Sequence, residues 1–237
     1  MKKNLFRRVG AVLMLTMCTG LFAGCSKKVA AKTDINIAVM TGPTAIGLVK
    51  VMDDNENGSA ANNYNFQVYG EATEISTGLV KGELDVACVP CNLASVLYNK
   101  TDGGIVVAGI NTLGVLYIVE TGDSIHSVSD LAGKTIYTTG QGTTPEYTLR
   151  YILSGSGLNP DSDVTIEFKS EAAEVISALT ENPDAIAMLP QPYVTVAMNN
   201  NDKLHIALDV AEEWNEISDS STVVTGVVVA RKEWVDA

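Results

Sequence analysis

Between residues 34 and 230 the chain alternates short apolar runs with stretches of helical spacing, and that alternation admits few folds. Apolar runs fall at 35–39, 65–69, 84–88 and 105–110, separated by helical patterns at 45–54, 75–81 and 93–99. Strands that alternate with helices in this way form a mostly parallel sheet with helices on both faces. Ile105-Val106-Val107-Ala108 is apolar at successive positions, as expected of a strand buried on both sides. The pattern then repeats. A strand at 113–120 and a polar break, Thr121-Gly122-Asp123-Ser124, precede strands at 134–138, 164–168, 185–189 and 204–208, with helices at 145–153, 172–179 and 192–199. Gly155 and Gly157 are placed to end the first of these helices. The β-branched run 223–230 and a helix start at 231–237 follow. Two α/β lobes are therefore expected, 34–120 and 121–222, with 223–237 crossing back toward the first. Extended segments near 113–122 and 222–230 are the two hinge crossings. The Asn-rich stretch 53–65 reads as a surface loop.

The first residues are an address. Lys2, Lys3, Arg7 and Arg8 form a positive region, and the apolar run 9–23 after it is too short and interrupted to span a bilayer comfortably. It ends in Leu21-Phe22-Ala23-Gly24-Cys25, which resembles a lipobox. Phe22 stands where that motif usually has Leu. The expectation is a signal peptide at 1–24, lipidation of Cys25, and a polar tether at 25–33. The alternative is an ordinary secretory signal, or an uncleaved anchor, with a chance cysteine. Bulky Met17 makes Cys18 a poor rival for Cys25. Acyl chains would hold the protein on the extracytoplasmic face of the cell membrane without spanning it.

Charge excludes one class of partner. The chain holds 16 Lys and Arg against 28 Asp and Glu, and removing residues 1–24 leaves 12 basic residues against the same 28, a net −16. Nucleic acid needs Lys and Arg against its phosphates, so no nucleic-acid partner is expected. Anionic lipid is repelled too, and the anchor must do the attaching. With 46% hydrophobic residues the chain can build a real core.

In open α/β sheets ligands bind beyond the carboxyl ends of the strands. The segments found there are Thr41-Gly42-Pro43-Thr44, Glu71, Pro90 and Asn92, Asn111, Gly140-Gln141-Gly142-Thr143-Thr144, and Gln191. Glycine permits close backbone approach, helix starts offer free N–H donors, and Thr, Asn and Gln add directed hydrogen bonds. Such a set can hold a small polar or anionic solute without a formal cation. Capping preferences alone would also select these residue types. Their convergence from two lobes is what favours a site. No Arg or Lys falls in these loops, Glu71 and Glu146 flank them, and Tyr69, Tyr147 and Tyr193 are near enough to stack, which favours a neutral or cationic ring compound over a sulfonate.

Two stretches carry a family resemblance. Gly82-Glu83-Leu84-Asp85-Val86-Ala87-Cys88-Val89-Pro90 is similar to the G-x-x-D-hydrophobic-A element of type 2 periplasmic-binding proteins. Val128-Ser129-Asp130-Leu131-Ala132-Gly133-Lys134-Thr135-Ile136 resembles the entry of that family into its second lobe. The branch it resembles serves ABC importers for sulfonates, nitrate or thiamine-precursor pyrimidines. The resemblance implies a two-lobed α/β type 2 periplasmic-binding-protein fold, mixed and mostly parallel sheets, and two lobes closing on a small-molecule solute. It also implies delivery to ABC permease subunits, a monomer, no cofactor and no catalysis. Members of the family usually continue with helices that return to the first lobe, whereas this sequence stops at Ala237.

The catalytic alternatives are narrow. Cys88-Val89-Pro90-Cys91 resembles the thioredoxin motif, in which a helix start lowers the first thiol's pKa, but no Trp precedes it. Whether the two thiols pair is left open by the spacing. His126 and His205 are the two histidines, far from the site loops, and no His/Cys/Asp cluster has metal-ligand spacing. Gly140-Gln141-Gly142 lacks the Gly-Lys-Ser/Thr of a phosphate loop. An enzyme of thiamine-pyrimidine synthesis shares this architecture. It works in the cytosol, which the leader peptide argues against. A lipoprotein sensor or adhesin is the third class.

Overall fold

The computed structural model describes residues 31–182 and 184–237. The expected signal, Cys25 and most of the tether lie outside them. From the start, the elements are β1 (Asp34–Met40), α1 (Pro43–Ile46), α2 (Val49–Glu56), β2 (Asn63–Tyr69), α3 (Ala72–Lys81), β3 (Val86–Pro90), α4 (Cys91–Lys100) and β4 (Ile105–Thr112). Then come β5 (Leu116–Glu120), β6 (Thr135–Thr138), α5 (Thr144–Gly155), β7 (Thr165–Phe168), α6 (Ala172–Glu181), β8 (Ile186–Pro190), α7 (Tyr193–Asn200), β9 (His205–Asp209) and α8 (Val210–Ile217). The last are β10 (Gly226–Arg231) and α9 (Lys232–Val235).

Two five-stranded sheets share one plan, β2-β1-β3-β10-β4 and β7-β6-β8-β5-β9. In the first, β1 runs parallel to β2 and β3, while β10 is antiparallel to both β3 and β4. In the second, β6 runs parallel to β7 and β8, while β5 is antiparallel to β8 and β9. Each sheet thus takes its one antiparallel strand from a crossing: β5 follows directly on the first half, and β10 comes back from the second. Strand β10 is Val-rich because it is buried in mid-sheet between two neighbours, with Val227 and Val229 facing the core formed by Ile75, Leu79, Leu84 and Leu97. The opposite face carries Ile35, Ile37, Val39 and Cys88. In the second half Leu149, Ile152 and Leu153 of α5 pack on Ile118, Ile136 and Met188.

Strand Leu116–Glu120 belongs to the second sheet, so the first half ends at Thr112 and not at 120 as expected. A strand's periodicity reveals that it pairs, but not with which sheet. The crossing is only residues 113–115. The presumed loop 53–65 is also shorter, because α2 runs to Glu56 and β2 begins at Asn63. Helix α8 was not anticipated. Its signals are Asp209, whose carboxylate accepts from the N–H of Ala211 at 2.8 Å, and the apolar spacing of Val210, Trp214 and Ile217.

Both stretches that carry the family resemblance are scaffold. Asp85 is buried and receives Arg231 Nη2 at 2.8 Å on one oxygen and the N–H of Asn36 at 2.9 Å on the other. Arg231 Nε donates to the carbonyl of Leu84 at 2.8 Å. This cluster fastens the end of β10 to β3 and β1. The Asp130 carboxylate accepts from the N–H groups of His126 and Ser127 at 3.0 and 2.9 Å and closes the turn that leads into β6. Glu120 is similarly structural. Buried at the end of β5, it accepts from Ser124 Oγ at 2.7 Å and from the N–H of Ile125 at 2.8 Å. Burial disfavours its charge, but the Ser124 hydroxyl and the N–H groups of Ile125 and Ser124 outweigh that and hold the carboxyl below its ordinary value of 4.5.

Removing one partner of a buried pair leaves an uncompensated charge, so Arg231→Ala is expected to cost about 3 kcal/mol in a urea titration. Because the Glu120 pKa is lower folded than unfolded, its contribution is present above 4.5 and is lost as the pH falls through the folded value. The urea midpoint of the wild-type chain should therefore fall more steeply on acidification below that point than that of Glu120→Gln. Parallel slopes would remove Glu120 from the account of acid sensitivity.

Candidate functional site

The carboxyl ends of the parallel strands in both sheets lead into the loops that meet between the two halves. Asn92, at the start of α4, donates from Nδ2 to the carbonyl of Gly142 at 3.1 Å. Thr144, at the start of α5, donates from its hydroxyl to Asn92 Oδ1 at 3.2 Å, and accepts from the Asn92 N–H at 3.4 Å. A second approach lies alongside: a Cβ placed on Gly42 would come 3.9 Å from the Tyr193 ring at the start of α7. The starts of α4 and α5 thus meet across the crevice, and those of α1 and α7 approach each other.

The crossings leave little room there. At Gly226, the first residue of β10, a Cβ would sit 2.6 Å from Thr44 Cγ2 and 2.9 Å from Asn111 Oδ1. At Gly114 it would sit 2.5 Å from the Cβ of Ala211. Glycine is needed at both points so that the crossing backbone can pass under its neighbours. Asn111 Nδ2 donates to the carbonyl of Thr44 at 2.8 Å and fixes the loop after β1 to the end of β4.

The residues expected at the site have the following places in the structure. Thr44 is buried and Pro43 opens α1. Thr41 is exposed, with its N–H on the carbonyl of Tyr69 at 3.0 Å. Pro90 is buried opposite Gly226 in the sheet. Gly140 and Gly142 have φ of 79° and 72°, and Thr143 Oγ1 donates to the carbonyl of Gly140 at 2.6 Å, which shapes the turn into α5. Gln141 is exposed at the tip of that turn. Gln191 Oε1 accepts from the Thr195 hydroxyl at 2.9 Å, within its own helix start. Glu71 is exposed beyond edge strand β2 and makes no hydrogen bond to the interlobe residues described.

A cavity of about 380 Å³ opens beside Asn92 and Thr144. Tyr147, Tyr151, Trp214 and Val224 form much of its wall. Tyr151 and Trp214 stack at 3.9 Å between ring centroids. Of these, Tyr151, Trp214 and Val224 escaped sequence reasoning; for Trp214 the spacing of Val210, Trp214 and Ile217 was the available signal. Glu146 accepts from the Gly142 N–H at 2.7 Å and pairs with Arg150 at 2.8 Å, so its charge is neutralised within the second half.

The two cysteines are free and pack on opposite faces of the first sheet. Burial pushes the Cys88 thiol up to about 11, with Asn111 pulling the other way. A thioredoxin-like thiol needs the reverse shift. Among the described residues no group of three or more His, Cys, Asp or Glu side chains is placed to hold a metal ion, and no helix is long and apolar enough to cross a membrane.

This arrangement is that of a binding protein with a crevice between two sheet-based halves, and the comparisons agree. The chain belongs to the family of phosphonate ABC transporter periplasmic substrate-binding proteins, whose model matches residues 62–237. Among solved structures, an ABC transporter of Parabacteroides distasonis is 25% identical with a TM-score of 0.66, over 85% of this chain and 67% of that one. The periplasmic aliphatic sulphonate-binding protein of Escherichia coli is 15% identical with a TM-score of 0.66, over 87% of this chain and 67% of that one. A binding component of a phosphonate ABC transporter from Pseudomonas aeruginosa is 13% identical with a TM-score of 0.57, over 85% and 69%. The last two speak to the fold alone. None of the curated proteins is significantly similar in sequence to the chain.

Asn92→Ala removes the bonds its side chain makes across the crevice. The expected result is a larger radius of gyration by small-angle X-ray scattering, with a stability loss of only about 1 kcal/mol. An unchanged radius would mean that these bonds do not hold the halves together.

Proposed function

We propose that the chain is the solute-capturing lipoprotein of an ABC importer: cleaved after residue 24, acylated at Cys25, tethered through residues 26–33 to the outer face of the cell membrane, and monomeric. It binds a small polar or heteroaromatic solute between its halves and hands it to the permease, with no chemistry performed. The observation that carries this reading is the meeting of α4 and α5 at Asn92 and Thr144. Two helix starts bring partial positive charge and N–H donors to one point, and an oxygen-rich group placed between them satisfies both. The solutes named for the relatives, phosphonate and sulphonate, offer such oxygens. Lys and Arg are missing from the loops at 41–44, 90–92 and 139–145, so recognition of an oxyanion there rests on N–H and hydroxyl donors.

The Cys-x-Pro-Cys redox alternative is the weaker reading, because the raised Cys88 thiol is unsuited to thiol exchange. Calorimetric titration of the purified chain with methylphosphonate tests the site. Gln141→Ala and Asn92→Ala should each weaken binding about tenfold, or ~1.4 kcal/mol. Wild-type affinity in both variants would move the site elsewhere. Metabolic labelling with an alkyne fatty acid tests the anchor: the label should be lost in Cys25→Ser.

A further inference from the structure

The cavity beside the α4–α5 contact differs in character from the polar loops around it. Its wall is aromatic, formed by Tyr147, Tyr151 and Trp214, and Val224 closes the side toward the return crossing. Tyr147 is 54% exposed and Tyr151 37%, unusual for large rings of a core, while Trp214 Nε1 is fixed by Ser221 Oγ at 3.0 Å. The rings are thus held in place with their apolar area turned toward open space, the situation in which a flat ligand gains most from contact.

The charge on the α8 side is of one sign, while Arg150 of α5 is paired with Glu146 and Asp161. Helix α8 and its ends carry Asp209, Glu212, Glu213, Glu216 and Asp219, and no Lys or Arg occurs from residue 204 to residue 230. Burial, and then the neighbouring carboxylates Glu216, Glu212 and Asp209, raise the Glu213 pKa. Aromatic faces in a negative field attract cations twice over, through the ring quadrupole and through the carboxylates.

We infer that this cavity is the subsite for a planar, positively charged ring, so that the solute carries such a ring joined to the oxyanion held between α4 and α5. This rests on the interlobe reading proposed above. The volume of about 380 Å³ suits a small monocyclic group. Aromatic contact and charge together set the order in which ring compounds bind.

Three probes separate the two parts of the claim: methylphosphonate, benzylphosphonate and (pyridinium-1-yl)methylphosphonate, titrated into the full chain by calorimetry. The expected order of affinity is pyridinium over benzyl over methyl, with at least tenfold between first and last. In Tyr147→Ala, whose exposed ring is not needed for folding, the ratio of pyridinium to methyl affinity should fall toward one. Trp214→Leu, which keeps apolar bulk against α5, should do the same. If methylphosphonate binds and the ring compounds bind no better, or if both variants keep the wild-type ratio, the ring subsite is overturned and the interlobe site stands. If benzylphosphonate matches the pyridinium compound, the charge preference is overturned. If none of the three binds, the oxyanion reading and the ring subsite fall together.

Discussion

The fold depends on the return of one strand. Without β10, sheet one would lose the partner that joins β3 to β4, and the backbone would pass between the two halves only at residues 113–115. The Asp85–Arg231 cluster is where that strand is secured. It joins residues far apart in the chain with a buried ion pair, a backbone carbonyl and an Asn36 N–H. A buried pair of this kind contributes less to net stability than to fixing register, because both ions must leave water. Its effect is to align Gly226, at the other end of β10, under Thr44 and Asn111, and so to hold the loop after β1 at the crevice.

The same logic extends to the second half. Strand β5 is the counterpart of β10, and Glu120 at its end secures the loop that follows, as Arg231 secures β10. With one antiparallel strand in each sheet supplied by a crossing, the carboxyl ends of the parallel strands on both sides lead to the crossings and hence to each other. The crevice is therefore a consequence of topology, and only its chemistry is left to the individual loops. That chemistry is divided between donors at the helix starts and an aromatic wall on α5 and α8, with acidic residues around it.

Much of the architecture was legible in the sequence because strand burial and helix periodicity leave strong local marks. Val227 to Ala230 could be read as a buried strand from its side chains alone. Ile105 to Ala108 could not: β4 is an edge strand with Val107 and Ala108 exposed, because an apolar run does not reveal whether a strand lies at the edge or in mid-sheet. Sheet membership could not, which is why the first lobe was drawn to residue 120 when β5 belongs to the second sheet. The loops at 41–44, 90–92 and 140–144 were found from the rule that ligands sit beyond strand ends, and Asn92 and Thr144 do bridge the halves. Glu71 was included by the same rule although its strand lies at the sheet edge, away from the crossings. The aromatic wall was only half visible. Tyr147 sits next to a recognisable loop, but Trp214 lies on a helix that charged residues disguise, and its stacking on Tyr151 joins residues 63 positions apart. The resemblance at Asp85 and Asp130 identified the family correctly through residues that hold the scaffold together and do not face the crevice.

Hydrogen–deuterium exchange of the intact chain, with and without saturating solute, tests the shared crevice most directly. Amides in 41–45, 91–95 and 142–148 should slow together when solute is bound, while those of β5 and β10 stay among the slowest in both states. Protection confined to one half, or falling outside these three stretches, would contradict a site formed jointly by the two sheets.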